Sequence, residues 1–434
     1  MTKATNGTVS NGAGAYSEAD LLALANNILE KTTTVTEYIK ANNIPSPTFA
    51  PGSPSIPESL ISSPLYSSLK TSLENLQRLI DGPRRFWRSF CVQGYDLAAV
   101  QVALDFNFFE LVPAEGAISL SDLAQKSGLD KDRVGRSVRM MVTLGIFQEQ
   151  KPDYISHNSI SDVLRKDEEL RCTVHYSLDE MLKAASNTAE TLKEWPSEAD
   201  SIHCAFNKYH GLPIFSWYAK HPAYAGRFAR AMAGATRMDR HINELRDSFP
   251  WGDLTGTIVD VGGGSGHISM ALAKLFPSLN FIVQDGSKNM LEEGKTLLSA
   301  DVRDRVSFMQ HSFFEPQPVK DAGAYLIRQC THNWCDRDVV TMFKSIVPGL
   351  EASKPGTPFL INDIILPEYT GTLPPHAERE LRQIDMIMLV SFGAKQRTKT
   401  EFEELLKEAD PRFELRRSYA DGARLGLLEV YLNQ

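Results

Sequence analysis

Thr257-Ile258-Val259-Asp260-Val261-Gly262-Gly263-Gly264-Ser265-Gly266-His267-Ile268 reads as a buried strand, a glycine turn and the start of a helix. Ile258, Val259 and Val261 form the short β-branched run of a parallel strand. Gly262, Gly264 and Gly266 remove the side chains that would keep a ligand off the backbone. The helix that follows aims free N–H groups at whatever sits in the turn. The stretch is a ligand cradle, and the neighbouring strands must say for which ligand.

From Gly256 onward short β runs alternate with helical runs. Strands are expected at 257–261, 280–284, 306–309, 323–328 and 359–365. Helices are expected at 268–276, 288–298, 336–350, 378–389 and 399–409. Two last strands, 413–419 and 427–432, are expected to pair as an antiparallel edge. Alternating β and α predicts an α/β fold with a parallel sheet covered on both faces. In such sheets the ligand lies at the carboxyl ends of the strands. The chemistry therefore falls just after Val261, Gln284, Met309, Arg328 and Ile365.

Asp285 follows the second strand, where a carboxylate can hold a ribose diol of either NAD or an adenosyl cofactor. The turn itself is Gly262-x-Gly264-x-Gly266 with His267 next, unlike the dinucleotide spacing G-x-G-x-x-G. After the third strand, Gln310-His311-Ser312-Phe313-Phe314 places polar groups before aromatics, a set that suits an adenine edge and face. After the fourth, Arg328-Gln329-Cys330-Thr331-His332-Asn333-Trp334-Cys335-Asp336 puts a histidine beside the cleft, and His332 is a general-base candidate.

Working back toward the N-terminus, residues 166–250 read as a helical connecting region rich in aromatic and Met positions. Most of these belong to a core, and some can line an apolar substrate pocket. Residues 84–165 suggest a winged helix. A long buried helix over 84–111 carries Phe86, Trp87, Phe90 and Leu97. A helix–turn–helix follows, with Ser121 capping its first helix and Gly128 closing it, and then a wing at 144–149 and 154–156. Its second helix carries Lys131, Arg133, Arg136 and Arg139 but also Asp130 and Asp132, a mixture that weighs against DNA. Residues 16–83 hold a helix at 16–42 capped by Ser17, a linker at 44–64 with six prolines, and a helix at 67–80 stopped by Asp81-Gly82-Pro83. Residues 1–15 read as a disordered tail. The remaining part, 251–434, is the cofactor-binding domain.

The 434-residue chain has an ordinary soluble balance, 42% hydrophobic and 23% charged, and a formal net charge of −8. That charge argues against nucleic acid as the main partner. Five cysteines without CxxC spacing read as reduced thiols of a cytoplasmic protein, with neither a disulfide framework nor a metal site. No apolar run of about 18 residues marks a membrane span, and the N-terminus has no apolar signal core.

Asp260-Val261-Gly262-Gly263-Gly264-Ser265-Gly266 resembles motif I of the class I S-adenosylmethionine-dependent methyltransferases. In order with it stand Phe281-Ile282-Val283-Gln284-Asp285, Leu326-Ile327-Arg328, His332-Asn333-Trp334-Cys335-Asp336, Ile361-Asn362-Asp363-Ile364-Ile365-Leu366-Pro367 and Gly393-Ala394-Lys395-Gln396-Arg397-Thr398. Over about 84–434 the chain resembles the caffeate-type O-methyltransferases and their fungal secondary-metabolite relatives. The resemblance implies a Rossmann-like sheet, a winged-helix part that makes a homodimer, S-adenosyl-L-methionine as cofactor, and a small hydroxylated acceptor. By the same resemblance Gly262, Gly263 and Gly264 approach the methionyl part and Asp285 the ribose. His311, Ser312 and Phe313 surround the adenine, and Arg328 lies near the cofactor. His332 is the implied base and Asp363 its orienting acid; Ser312 stands where relatives carry Asp, and Gln396 where most carry a second acid. An alternative keeps the fold and the cofactor but catalyses a pericyclic reaction without methyl transfer. A winged-helix regulator would need a basic face, and an NAD oxidoreductase would need G-x-G-x-x-G.

Overall fold

The computed structural model describes residues 20–239, 242–419 and 425–433; the tail expected at 1–15 and the Ser17 cap lie outside them. Two units divide the chain. The first takes the described part of Met1–Lys183 together with Pro222–Ala235 and Pro374–Ala377, and the second takes most of the remainder.

The first unit is mostly helical. Asp20 accepts a hydrogen bond from the Leu22 backbone N–H and caps the helix Leu21–Ala41. That helix packs along Pro64–Phe90. The proline-rich stretch between them contains the short helix Glu58–Ile61. It is tied to the distant helix Ser159–Lys166 by the Ser159 N–H on Phe49 O and the Gly52 N–H on the Asp162 carboxylate.

Residues 84–111 do not form one buried helix. Gly82, at φ 62°, kinks the helix, which ends at Phe90. New helices follow at Gln93–Asp105 and Phe108–Leu111, the second after the left-handed Asn107. The aromatic run before the break faces outward: Trp87 is 63% and Phe90 53% exposed. An apolar periodicity shows which residues share a face; it does not show whether a partner element covers that face.

The helix–turn–helix and its wing form as expected. Strand β1 (Ile118–Ser119) leads into helices Leu120–Ser127 and Lys131–Thr143. Strands β2 (Phe147–Lys151) and β3 (Tyr154–His157) complete an antiparallel sheet in the order β1-β3-β2. The first cap is Ser119, whose hydroxyl accepts from the Asp122 N–H, and not Ser121. This choice starts the helix two residues earlier, and Leu120, Leu123 and Ala124 are buried together. Gly128 closes it at φ 75°. On the second helix each basic residue meets a carboxylate: Lys131 and Arg139 meet Asp153, Arg133 meets Asp130, and Arg136 meets Asp132.

The second unit is built on a seven-stranded sheet. Its strands are β4 (Gly256–Val261), β5 (Leu279–Asp285), β6 (Val306–Gln310), β7 (Ala324–Arg328), β8 (Phe359–Asp363), β11 (Phe413–Ser418) and β12 (Gly426–Leu432). The short pair β9 (Ile365–Leu366) and β10 (Arg397–Thr398) lies apart from it. The order is β11-β12-β8-β7-β4-β5-β6. β4 pairs in parallel with both β5 and β7, so it is central. The chain runs outward from β4 to β6 and then returns to the other side at β7, which places a topological switch point beside the glycine turn.

Burial on both faces explains the apolar strands. Val259, Val261, Tyr325, Ile327 and Ile361 pack with Phe343 and Phe402 on one face. Ile258, Phe281, Val283, Leu326 and Leu360 pack with Leu272 on the other. Each such side chain contributes roughly 1.5–3 kcal/mol on burial. The last two strands pair antiparallel at one edge of the sheet, as expected: β11 is outermost and β12 lies between it and β8, antiparallel to both. Leu427, Leu428 and Val430 are fully buried there, as suits the inner strand of that pair.

Candidate active site

The glycine turn leaves β4 at Val261 and delivers the helix His267–Leu275. Gly262 has φ 74°, and a Cβ there would lie 2.8 Å from Cys330 Sγ and 3.3 Å from the Phe313 ring. A Cβ on Gly263 would lie 2.6 Å from the Asp260 carboxylate. The turn can therefore close only without side chains. Asp260 sits beneath it, 2% exposed, and accepts from the Ser269 hydroxyl at 2.6 Å. Burial pushes its pKa up to about 6.

Asp285 ends β5 beside the turn. Its Oδ2 accepts from the Gly264 N–H at 3.0 Å and its Oδ1 from the Ser287 N–H at 2.8 Å. The residue thus organises both the turn and the start of the next helix. Each oxygen retains a second lone pair for a ligand hydroxyl. The His311 N–H bonds to Asp285 O, so the segment after β6 is fastened to the same strand end. His311 Nε2 is buried without a hydrogen-bond partner. The Ser312 hydroxyl, exposed, accepts from the Phe314 N–H. Phe313 lies against the turn and makes edge contacts with Phe314 and Trp334, at ring separations of 4.8 and 5.8 Å. Asp285 therefore joins the turn at Gly264, His311 is fastened to Asp285, and Phe313 lies against Gly262. That arrangement fits an adenosyl group.

The β7 and β8 ends supply the second cluster. His332 lies in the short 3-10 turn Thr331–Asn333, buried, with Nδ1 2.6 Å from Asp363 Oδ1. Asp363 ends β8, 1% exposed, and accepts three more bonds: from the Thr331 hydroxyl at 2.6 Å, the Ile364 N–H at 2.9 Å and the His332 N–H at 3.3 Å. Burial alone would raise its pKa; the facing imidazole and these donors outweigh burial and hold the carboxyl below its ordinary range. The Nδ1–H that Asp363 accepts leaves the lone pair of the neutral ring on Nε2.

Gln396 is 2% exposed, and neither atom of its amide has a hydrogen-bond partner. It makes no bond to His332; its backbone N–H goes to Asp385. Arg397, next in the chain, has a fully buried side chain that clamps the His332 loop. Its guanidinium donates to Thr331 O at 3.0 Å, Trp334 O at 2.8 Å and Asp336 Oδ1 at 2.7 Å. Sequence reasoning assigned no role to Arg397 or Thr331. The signal was present only as an arginine inside a short polar run, and its partners lie more than sixty positions away.

Sheet order, glycine turn and the paired strand-end clusters define a class I methyltransferase fold. Residues 189–411 match the O-methyltransferase domain family. The chain is 55% identical over 431 residues to O-methyltransferase sol2 of Alternaria solani, covering 99% of each chain. It is 32% identical over 414 residues to a chlorophenol O-methyltransferase of Trichoderma longibrachiatum, covering 92% of this chain and 87% of that one. The solved structure of OxaC in complex with SAH and oxaline shares the fold at a TM-score of 0.74 and 21% identity, covering 96% of this chain and all of that one. The chain belongs to the O-methyltransferase family. It is an enzyme that uses S-adenosylmethionine to methylate a small molecule, and among its described residues no helix is long and apolar enough to cross a membrane.

Proposed function

We propose that this enzyme methylates a hydroxyl of an aromatic or polyketide-like acceptor in secondary-metabolite biosynthesis, with His332 as general base. The observation that carries this is the 2.6 Å bond between His332 Nδ1 and a buried, four-fold hydrogen-bonded Asp363. Gly262, Gly263, Gly264, Asp285, His311, Ser312, Phe313 and Arg328 hold the cofactor. Bound S-adenosylmethionine supplies a methyl group already activated on a sulfonium sulfur.

The protein's task is to orient the acceptor oxygen and remove its proton. A phenol titrates near ~10 in water, so it needs a base at neutral pH. His332 Nε2, its lone pair set by the bond from Nδ1–H to Asp363, takes that proton as the oxygen attacks. Asp363 stays ionised and stabilises the imidazolium. Gln396 adds no second charge, so one carboxylate serves where relatives use two. The likeness to a chlorophenol methyltransferase supports a phenolic acceptor.

The exposed Phe86, Trp87 and Phe90, whose rings contact one another at 5.6–5.9 Å, support a homodimer through that helix face. The five unpaired cysteines support a reducing, cytoplasmic setting. Incubation with methyl-labelled cofactor and a panel of phenolic metabolites, read by mass spectrometry, tests the activity. A product heavier by the labelled methyl group supports it. An isomerised product of unchanged mass would sink it in favour of a pericyclic reaction.

A further inference from the structure

Five described residues other than glycine hold a positive φ. Asn43, Asn107, Asp153 and Asp321 are of the types whose short polar side chains tolerate that region. The fifth is Gln329, at φ 50°, a long side chain with no such local reason. It directly follows Arg328, the last residue of β7, and stands three positions before His332. Its backbone N–H donates to Asn362 O at 2.9 Å, which fixes it to β8 one residue from Asp363.

Chemistry decides which way its amide points. Arg328 Nη1 donates to Gln329 Oε1 at 2.9 Å. A guanidinium can only donate, so the atom facing it is oxygen and the far end is Nε2. That Nε2 is buried and has no hydrogen-bond partner. An unpaired donor and a left-handed glutamine both raise the energy of the folded chain, and they coincide at the strand end that carries the base. A ligand oxygen placed at Nε2 relieves the first and gives a reason for the second.

We infer that Gln329 reads the methyl acceptor: its Nε2 donates to a carbonyl oxygen carried beside the hydroxyl that is methylated. The inference rests on His332 being the base for an acceptor hydroxyl. The bond to Asn362 places the Gln329 backbone at the end of β8, one residue from the Asp363 that bonds His332. A site built around a hydrogen-bond donor discriminates against an analogue that lacks the matching oxygen.

The test compares the full-length enzyme with Gln329→Glu and Gln329→Leu. Glutamate keeps an oxygen for Arg328 and removes the donor; leucine removes both. Two probes are used, 2-hydroxyacetophenone and 2-ethylphenol, which differ in the carbonyl oxygen. The wild type is expected to favour the ketone by roughly tenfold or more in kcat/KM, mainly through KM, as one hydrogen bond to a buried donor allows. Both variants are expected to bring the ratio near one while calorimetry shows S-adenosylmethionine affinity within about twofold of wild type. A wild type indifferent to the carbonyl overturns the inference, as does a ratio unchanged in the variants. Loss of cofactor affinity with the ratio retained also overturns it, and assigns the donor to the cofactor carboxylate. If the wild type methylates neither probe, calorimetry of the ketone against the S-adenosylhomocysteine complex decides. Tighter binding to wild type than to Gln329→Leu supports the inference, and equal binding ends it.

Discussion

His332 and Asp363 form a buried pair, Nδ1 to Oδ1 at 2.6 Å. Replacing His332 by Ala is expected to lower kcat by roughly 10²–10⁴, the usual span for general-base catalysis. Cofactor affinity measured by calorimetry should stay nearly constant; retained turnover would remove His332 as the base. Asp363 has a folded-state pKa below its ordinary value, so the stability it contributes is present throughout the neutral range and is lost only as pH falls through that lowered pKa. Asp260 behaves in the opposite way. Its pKa rises from 3.8 to about 6, so the folded state binds more protons than the unfolded one between those values. Stability from this group is full below the unfolded pKa and is lost as pH rises toward 6. Asp260→Asn should abolish that slope. The difference in unfolding free energy between wild type and variant should change by up to ~3 kcal/mol between pH 4 and pH 7, at 1.36 kcal/mol per pKa unit. A pH-independent difference would show that Asp260 is not titrating in this range.

At the scale of elements, the decisive parts are two loops held without room for change. The turn after β4 has no space for a Cβ at Gly262, where φ is also positive. Gly262→Ala is expected to fold with a weakened sheet and to lose at least tenfold in S-adenosylmethionine affinity by titration, the strain of a left-handed alanine alone being about 1–2 kcal/mol. The loop 330–336 depends on Arg397 in the same way. Arg397→Met leaves the carbonyls of Thr331 and Trp334 without their donor and Asp336 without its counter-ion. About 2–3 kcal/mol of stability should be lost at ~1 kcal/mol per hydrogen bond, with the half-exposed Asp336 counted low. A fall in kcat should accompany the lower thermal midpoint; a stable variant with unchanged kcat would mean that the clamp does not position His332. Boundaries at this scale were legible where local chemistry marks them. Thr398 and Glu401 form a capping box for the helix Lys399–Ala409, and that start was placed correctly. Ser121 was expected to cap the helix Leu120–Ser127, but Ser119 does so, and Leu120 and Leu123 are buried behind it.

For the whole molecule, the exposed Phe86, Trp87 and Phe90 predict self-association. Trp87→Glu with Phe90→Glu is expected to shift the mass seen by light scattering from twice the chain to one chain, without unfolding it. A wild type already monomeric at micromolar concentration would count against the dimer. The alternation of β and α runs was readable because strands buried on both faces carry apolar stretches, as in Ala324–Ile327 and Phe359–Ile361. The antiparallel edge made by the last two strands was readable as well; which of the two docks on β8 was not, because either strand of such a pair can face the sheet.

The amino-acid sequence by itself determined the cradle at Gly262–Gly264, the parallel strands β4–β8, and the strand ends that Asp285 and His332 follow. All of these depend on residue types within a few positions of one another. Only the tertiary structure decided that Asp363 bonds His332 while Gln396 does not, that Arg397 clamps its loop, and that Gln329 is held left-handed with a donor unspent. Those facts join residues up to 66 positions apart. Such contacts follow from strand order and side-chain direction, which local periodicity does not encode.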